Sequence, residues 1–352
     1  MATISLCMIV RDEARVLGRC LESVQDAVDE IIIADTGSVD NTREIALQFT
    51  EHVYDFPWCD DFAAARNFAF SKASMDYQMW LDADDVMLFP DCEALRALKE
   101  TLTADVVMMP YHVAFDAQGS PTFSYYRERL LRRACGFRWE GAVHEAITPA
   151  GNILYADPAV RHQKEYVNDP DRNLRIFEKQ LSNGKTLSPR EQYYYARELF
   201  YHERFAEAAG ELTAFLEGEG WTEDKISACL QLSRCHAASG DMESAKTALF
   251  RSFLYGEPRS EICCEIGRLL MEEERWQEAV FWYRAALDAP FSDSGFTEGD
   301  THDYIPDLQL CVCFDRLGNL RTAKAYNDRA GRIKPHDAAY LANRAYFQRV
   351  LR

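Results

Sequence analysis

The sequence predicts an α/β domain with a mostly parallel sheet, followed by an all-α domain of helical repeats. Two observations carry this. Apolar strand-like runs alternate with amphipathic helical stretches over the first third of the chain, and beyond residue 190 the pattern is helical throughout, with small residues recurring about every 34 positions. A length of 352 residues fits two domains of ordinary size.

The elements follow in order. Ile4–Val10, ISLCMIV, is a continuous apolar run, as a strand buried on both faces requires. Val16, Leu17, Cys20, Leu21 and Val24 then fall on one side of a helix. Glu30–Ala34, EIIIA, is a second buried strand. The stretch DTGSVDNTREIALQF turns at Gly37 and enters a helix, with Ser38 or Asp40 as N-cap. A weaker strand at His52–Phe56 precedes the helical DDFAAARNFAFSKA, and Tyr77–Leu81 is the next strand. Such alternation implies a mostly parallel sheet with helices on both faces. Pro170, Gly184 and Pro189 surround one amphipathic helix that reads as a connector. The expected boundaries are 1–165 for the α/β domain, 166–189 for the connector and 190–352 for the repeats.

In the repeats, Ala196, Ser233, Gly267 and Cys311 are each followed twelve residues later by Ala208, Ala245, Ala279 and Ala323. Four positions further come Leu212, Leu249, Tyr283 and, as an imperfect match, Asn327. Small residues at this period let two helices of a hairpin touch, which is the tetratricopeptide signature.

A formal net charge of −18 argues against nucleic acid or an anionic membrane as a main partner. The 11 cysteines are scattered without metal-knuckle spacing and read as buried thiols of a reducing compartment. No apolar run approaches the roughly 20 residues that span a bilayer. The opening MATISLCMIVRDE lacks the pattern of a signal peptide. A soluble, cytoplasmic protein is expected.

Chemistry gathers in MWLDADDVM, where Asp82, Asp84 and Asp85 crowd the end of a buried strand. Carboxylates this close repel one another unless a cation sits between them. Asp82 and Asp84 point the same way in an extended segment and suit a hard divalent ion. The competing reading is an acidic helix N-terminus before CEALRALKE. Asp35 also sits just after a strand, and ligands of open α/β sheets bind outside such carboxyl ends.

Together, ISLCMIVRDEARVLGRCLESV, DEIIIADTGSVDNT, WCDDFAAARNFAF, WLDADD and GAVHEAI resemble the family 2 glycosyltransferases of the GT-A fold over roughly residues 3–165. Members that append tetratricopeptide repeats are most similar, among them bacterial peptide S- and O-glycosyltransferases and enzymes of surface glycans. The resemblance implies that Asp82 and Asp84 hold Mn²⁺ or Mg²⁺ against a nucleotide sugar, UDP-glucose or similar. It implies that Asp35, with Asp40 in the same loop, contacts the donor nucleoside, although both are also placed to cap a helix. It puts Arg66 and Asn67 near the donor, with Arg66 bracing the carboxylates or reaching the diphosphate. In GFRWEGAVHEAI, which also holds Glu140, Glu145 is the expected base for an inverting transfer, with His144 the alternative base or a metal ligand. His162 matches a late metal or phosphate contact. Arg129 and Arg132, in YYRERLLRR, are candidates for the diphosphate or for a solvated face. A peptide or protein acceptor is expected at the repeats, and a homodimer is implied by the resemblance. A surface-glycan or lipid-linked acceptor is the second expectation, and a repeat scaffold with a decayed catalytic domain is the reading of another class. A nucleotidyltransferase fits less well, since RDEARVL stands where a Gly-rich phosphate loop belongs.

Overall fold

A computed structural model of the chain describes residues 1–115, 119–165, 169–290 and 299–351. The chain divides into two compact units, Met1–Asn183 and Gly184–Arg352.

The first unit contains β1 (Ile4–Val10), α1 (Leu17–Val24), β2 (Glu30–Asp35), α2 (Thr42–Ala46), β3 (Val53–Asp55), α3 (Phe62–Lys72), β4 (Tyr77–Trp80), β5 (Asp85–Val86), α4 (Phe89–Lys99), β6 (Val106–Phe115), β7 (Pro121–Arg132), β8 (Ile153–Tyr155), β9 (Val160–His162) and α5 (Arg172–Ser182). The strands form one sheet in the order β3-β2-β1-β4-β7-β6-β9-β5, with β8 also pairing β6. From β3 to β4 the sheet is parallel. β7 joins β4 antiparallel and forms a long antiparallel hairpin with β6. The sheet is therefore mixed: its first half has the expected parallel order, and its second half is built on a hairpin. Helix α5 lies within the first unit, beyond residue 165.

The alternating strand pattern divides the core between the two faces. Ile4, Leu6 and Met8 pack with Leu17, Leu21 and Val24 of α1 and Leu95 of α4, while Cys7, Ile32 and Trp80 meet Ala69 and Phe70 of α3 on the other face. Each fully buried Leu or Ile of this kind contributes about 1.5–3 kcal/mol. The parallel register sets Val10 beside Asp35 and Cys7 beside Trp80. Loops leaving β1, β2 and β4 consequently share one rim of the sheet.

The second unit is helical throughout its described residues. Helices α6 (Pro189–Tyr201), α7 (Phe205–Glu217), α8 (Thr222–Ala238), α9 (Met242–Arg251), α10 (Ser260–Glu272), α11 (Trp276–Asp288), α12 (Tyr304–Arg316) and α13 (Leu320–Ile333) follow as four hairpins, and α14 (Ala338–Val350) closes the series. All twelve repeat positions read from the sequence are buried, Asn327 included. Gly267 shows why small size is required there, because a Cβ would stand 2.8 Å from the ring of Tyr283. Among the described residues of either unit, no helix is long and apolar enough to cross a membrane.

Candidate active site

The three crowded carboxylates have three different surroundings. Asp82, just past β4, accepts a hydrogen bond at 2.7 Å from Nη2 of Arg66. Burial works against its charge, but the Arg66 guanidinium outweighs this and holds the carboxyl at about 2. Asp84 is partly exposed, with Oδ1 3.3 Å from Nδ1 of His162. Asp85 is fully buried. It accepts from the backbone N–H of Asp82 at 3.0 Å, from the Tyr111 hydroxyl at 2.8 Å and from Nη1 of Arg129 at 3.3 Å. Its Oδ1 also lies 3.3 Å from His162 Nδ1, since Asp85 and His162 are register partners of β5 and β9. Repulsion among the acids is thus met by three cationic side chains.

His162 stands between two carboxylates. Burial opposes its charge, yet hydrogen bonds to Asp84 and Asp85 push the imidazole up to about 10. Ligand atoms of Asp84, Asp85 and His162 lie within 4.8 Å of one another. These oxygen and imidazole donors can hold a divalent ion, whose binding would displace the proton of His162.

Arg66 is the second organiser. It is buried on α3, with its guanidinium 5.1 Å from the centre of the Trp80 ring and 4.9 Å from that of Trp139. Its Nε donates to Glu145 at 2.6 Å while Nη2 holds Asp82, and Nη1 has no partner among the described residues. The fork therefore sets the distance between the acidic loop and Glu145. Glu145 comes from a tight segment in which Glu140 and Ala146 exchange backbone hydrogen bonds. Within it, His144 has φ +52°, a left-handed conformation that few residues other than glycine adopt.

Not every expected residue reaches this place. Asp35 is buried, and its Oδ1 accepts from the N–H groups of Gly37 and Ser38, holding the turn after β2. Asp40 accepts from Ala14 N and from the backbone and hydroxyl of Thr42, bracing the start of α2. Asn67 makes two 2.9 Å bonds to the backbone of Trp139, fixing the ring under Arg66. Arg129 is fully enclosed, 3.8 Å from the Trp80 ring centre, and faces Asp85 from beneath the loop rather than a solvent-filled cleft. The cause is a β-bulge: the register steps from Leu130 to Glu128 opposite Val107 and Met108, and Arg129 is the extra residue. Arg132 pairs with Tyr77, at the opposite end of β4 from the acids, and donates to the Thr103 carbonyl. Five residues of strand put it on the order of 16 Å from Asp82. Neither arginine is placed to meet a diphosphate.

A cleft of about 420 Å³ opens over the carboxyl ends of β1 and β4. Asp82, Asp84, His162, Arg66, His144 and Glu145 all line it, and so do Arg11, Arg127, Lys164 and Arg172, which sequence reasoning missed. Arg11 follows β1 directly, in the place where open α/β sheets bind ligands, and that position was its available signal. Lys164 and Arg172 come from the end of the unit, and nothing local marks them.

The mixed sheet and the acid-lined cleft define an α/β transferase domain of the GT-A kind. The profile described as glycosyl transferase family 2 matches residues 5–150. A TPR repeat-containing protein of Synechococcus elongatus is 31% identical over 309 residues, covering 82% of this chain and 67% of its own length. The lipopolysaccharide core biosynthesis glycosyltransferase LpsC of Rhizobium meliloti is 29% identical over 163 residues, 43% of this chain and 58% of that protein. Among solved structures, S. aureus TarS superposes with a TM-score of 0.42 at 12% identity, covering 70% of this chain and 54% of that one. The chain thus carries a family 2 glycosyltransferase domain at residues 5–150 and belongs with the TPR repeat-containing proteins.

Proposed function

We propose that this glycosyltransferase moves a hexose from a nucleotide sugar, with a UDP-sugar favoured, to a peptide or protein acceptor held by the repeats, with inversion and with Mn²⁺ or Mg²⁺ bound. One observation supports this reading above the others: the acidic loop, His162, Arg66 and Glu145 all line one cleft. Asp84 and His162, with Asp82 or Asp85 beside them, would hold the ion. Bound there, the ion supplies positive charge against the departing nucleoside diphosphate.

The chain's own residues do the rest. Arg66 fixes Glu145 relative to the acidic loop. Glu145 takes the proton from the acceptor hydroxyl or thiol as it attacks, with His144 the alternative base. Repeat arrays present extended surfaces that suit a peptide, which favours that acceptor. The similarity to a lipopolysaccharide core enzyme favours the second reading, a surface glycan acceptor.

The test is hydrolysis of a panel of nucleotide sugars without acceptor, in Mn²⁺, Mg²⁺ or EDTA, by wild type and Asp84→Ala. Release of UDP or GDP that needs the metal, and falls at least a hundredfold in Asp84→Ala, supports the reading and names the donor. Absence of both turnover and metal-dependent nucleotide binding would leave the repeat scaffold as the better account.

A further inference from the structure

A second cavity, of about 640 Å³, adjoins the first. It opens between the loop after β1, the Trp58–Asp60 segment after β3, and helix α5. The two cavities share Arg11, Glu13, Asp169 and Arg172, so they meet at these side chains beside the carboxyl ends of β4, β1 and β3. One end holds Glu145 and the acidic loop, and the other holds Trp58. At the junction stand two arginines, Arg11 and Arg172.

That order matches a sugar beside Glu145, a diphosphate between the acidic loop and the two arginines, and a nucleoside at Trp58. We propose that α5, which lies outside the matched residues 5–150, is a wall of the donor groove, with Arg172 a diphosphate-binding residue and Trp58 a face for the base. This rests on the nucleotide-sugar reading above. The chemistry agrees at each step. Arginines pair with phosphate oxygens through several N–H groups at once. Trp58 is half-buried, donates through Nε1 to Asp60 at 2.8 Å and packs edge-on to Phe62 at 4.8 Å, so its ring is fixed in place. A fixed indole is a good stacking surface for any base. Helix α5 is tied down over this end of the groove. Lys179 pairs with Asp60, and the Arg172 guanidinium lies 4.5 Å from the centre of the Phe62 ring. The donor site of this chain thus extends past the family domain and takes one of its walls from α5.

The test uses the full chain with Mn²⁺ and measures binding of uridine, UMP and UDP, and of the guanosine series in parallel, together with donor hydrolysis. Arg172→Met is expected to weaken the nucleoside diphosphate and raise KM for the nucleotide sugar by on the order of tenfold, with kcat within about twofold and nucleoside binding unchanged. Trp58→Ala is expected to weaken nucleoside and nucleotide alike. If Arg172→Met binds the diphosphate as wild type does while Asp84→Ala is inactive, the role of α5 is overturned and the glycosyltransferase reading stands. A wild type that binds neither series overturns both.

Discussion

The two units use charge in opposite ways. In the first, Asp85, Arg129, Arg66 and Asp82 are joined through shared partners around two tryptophan rings, and Asp85 and Arg129 have no exposed surface. In the second, pairs such as Arg275–Glu278, Arg204–Glu207 and Lys324–Asp328 lie along exposed helix faces. Its interior is made of small residues set against large ones, as Gly267 is against Tyr283. A network fails as a unit when one member goes, whereas repeat interfaces add up from nearest neighbours. The first unit should therefore lose donor hydrolysis and stability together, and the second should lose stability while donor hydrolysis persists.

Arg129→Met is the strongest way to test the first half of that contrast. It leaves Asp85 buried without its guanidinium, a change that costs about 3–5 kcal/mol when one partner of a buried pair is removed. Asp85 also positions Asp82 and His162, so donor hydrolysis is expected to vanish with it. Thermal unfolding and hydrolysis measured on the same sample check both. Adding Asp85→Asn is expected to recover part of the stability, because no unpaired charge remains, without recovering hydrolysis. Full tolerance of Arg129→Met would mean the pair is incidental to the loop.

The second half is tested by Gly267→Val. Its side chain meets the Tyr283 ring, and overpacking of this kind costs about 1–3 kcal/mol. Denaturant unfolding should show that loss, while hydrolysis of the nucleotide sugar well below the transition stays within about twofold. A large fall in hydrolysis would break the division of labour between packing and chemistry.

How far this contrast could be read in the sequence follows from what kind of interaction each part uses. Periodic burial is local, so Ile4–Val10, the stripe from Val16 to Val24 and the twelve repeat positions could all be read in order. Crowded like charge is local too, which marked Asp82 and Asp84. Register is not local. The bulge that buries Arg129 depends on how β7 meets β6, and the pairing of Tyr77 with Arg132 removes Arg132 from the acids. The separate place of Asp85 needs Tyr111, Arg129 and His162, which come from three later strands. Arg172 lies 90 residues beyond Asp82, and only the fold brings it to the groove.

The smallest expected effect is the sharpest check on how the repeats are held. Arg275 contacts Glu278 through two nitrogens and also reaches Glu273, and on paper it is a well-made pair. Arg275 and Glu278 are exposed, so water and salt screen the attraction and holding long side chains in one geometry offsets much of the gain. Arg275→Ala is therefore expected to leave the unfolding midpoint where it was, at low and at high salt. Should the midpoint fall as far as in Gly267→Val, and fall less in high salt, surface pairing would rank with close packing in the repeats. The contrast between a charged network and a packed array would then have to be redrawn.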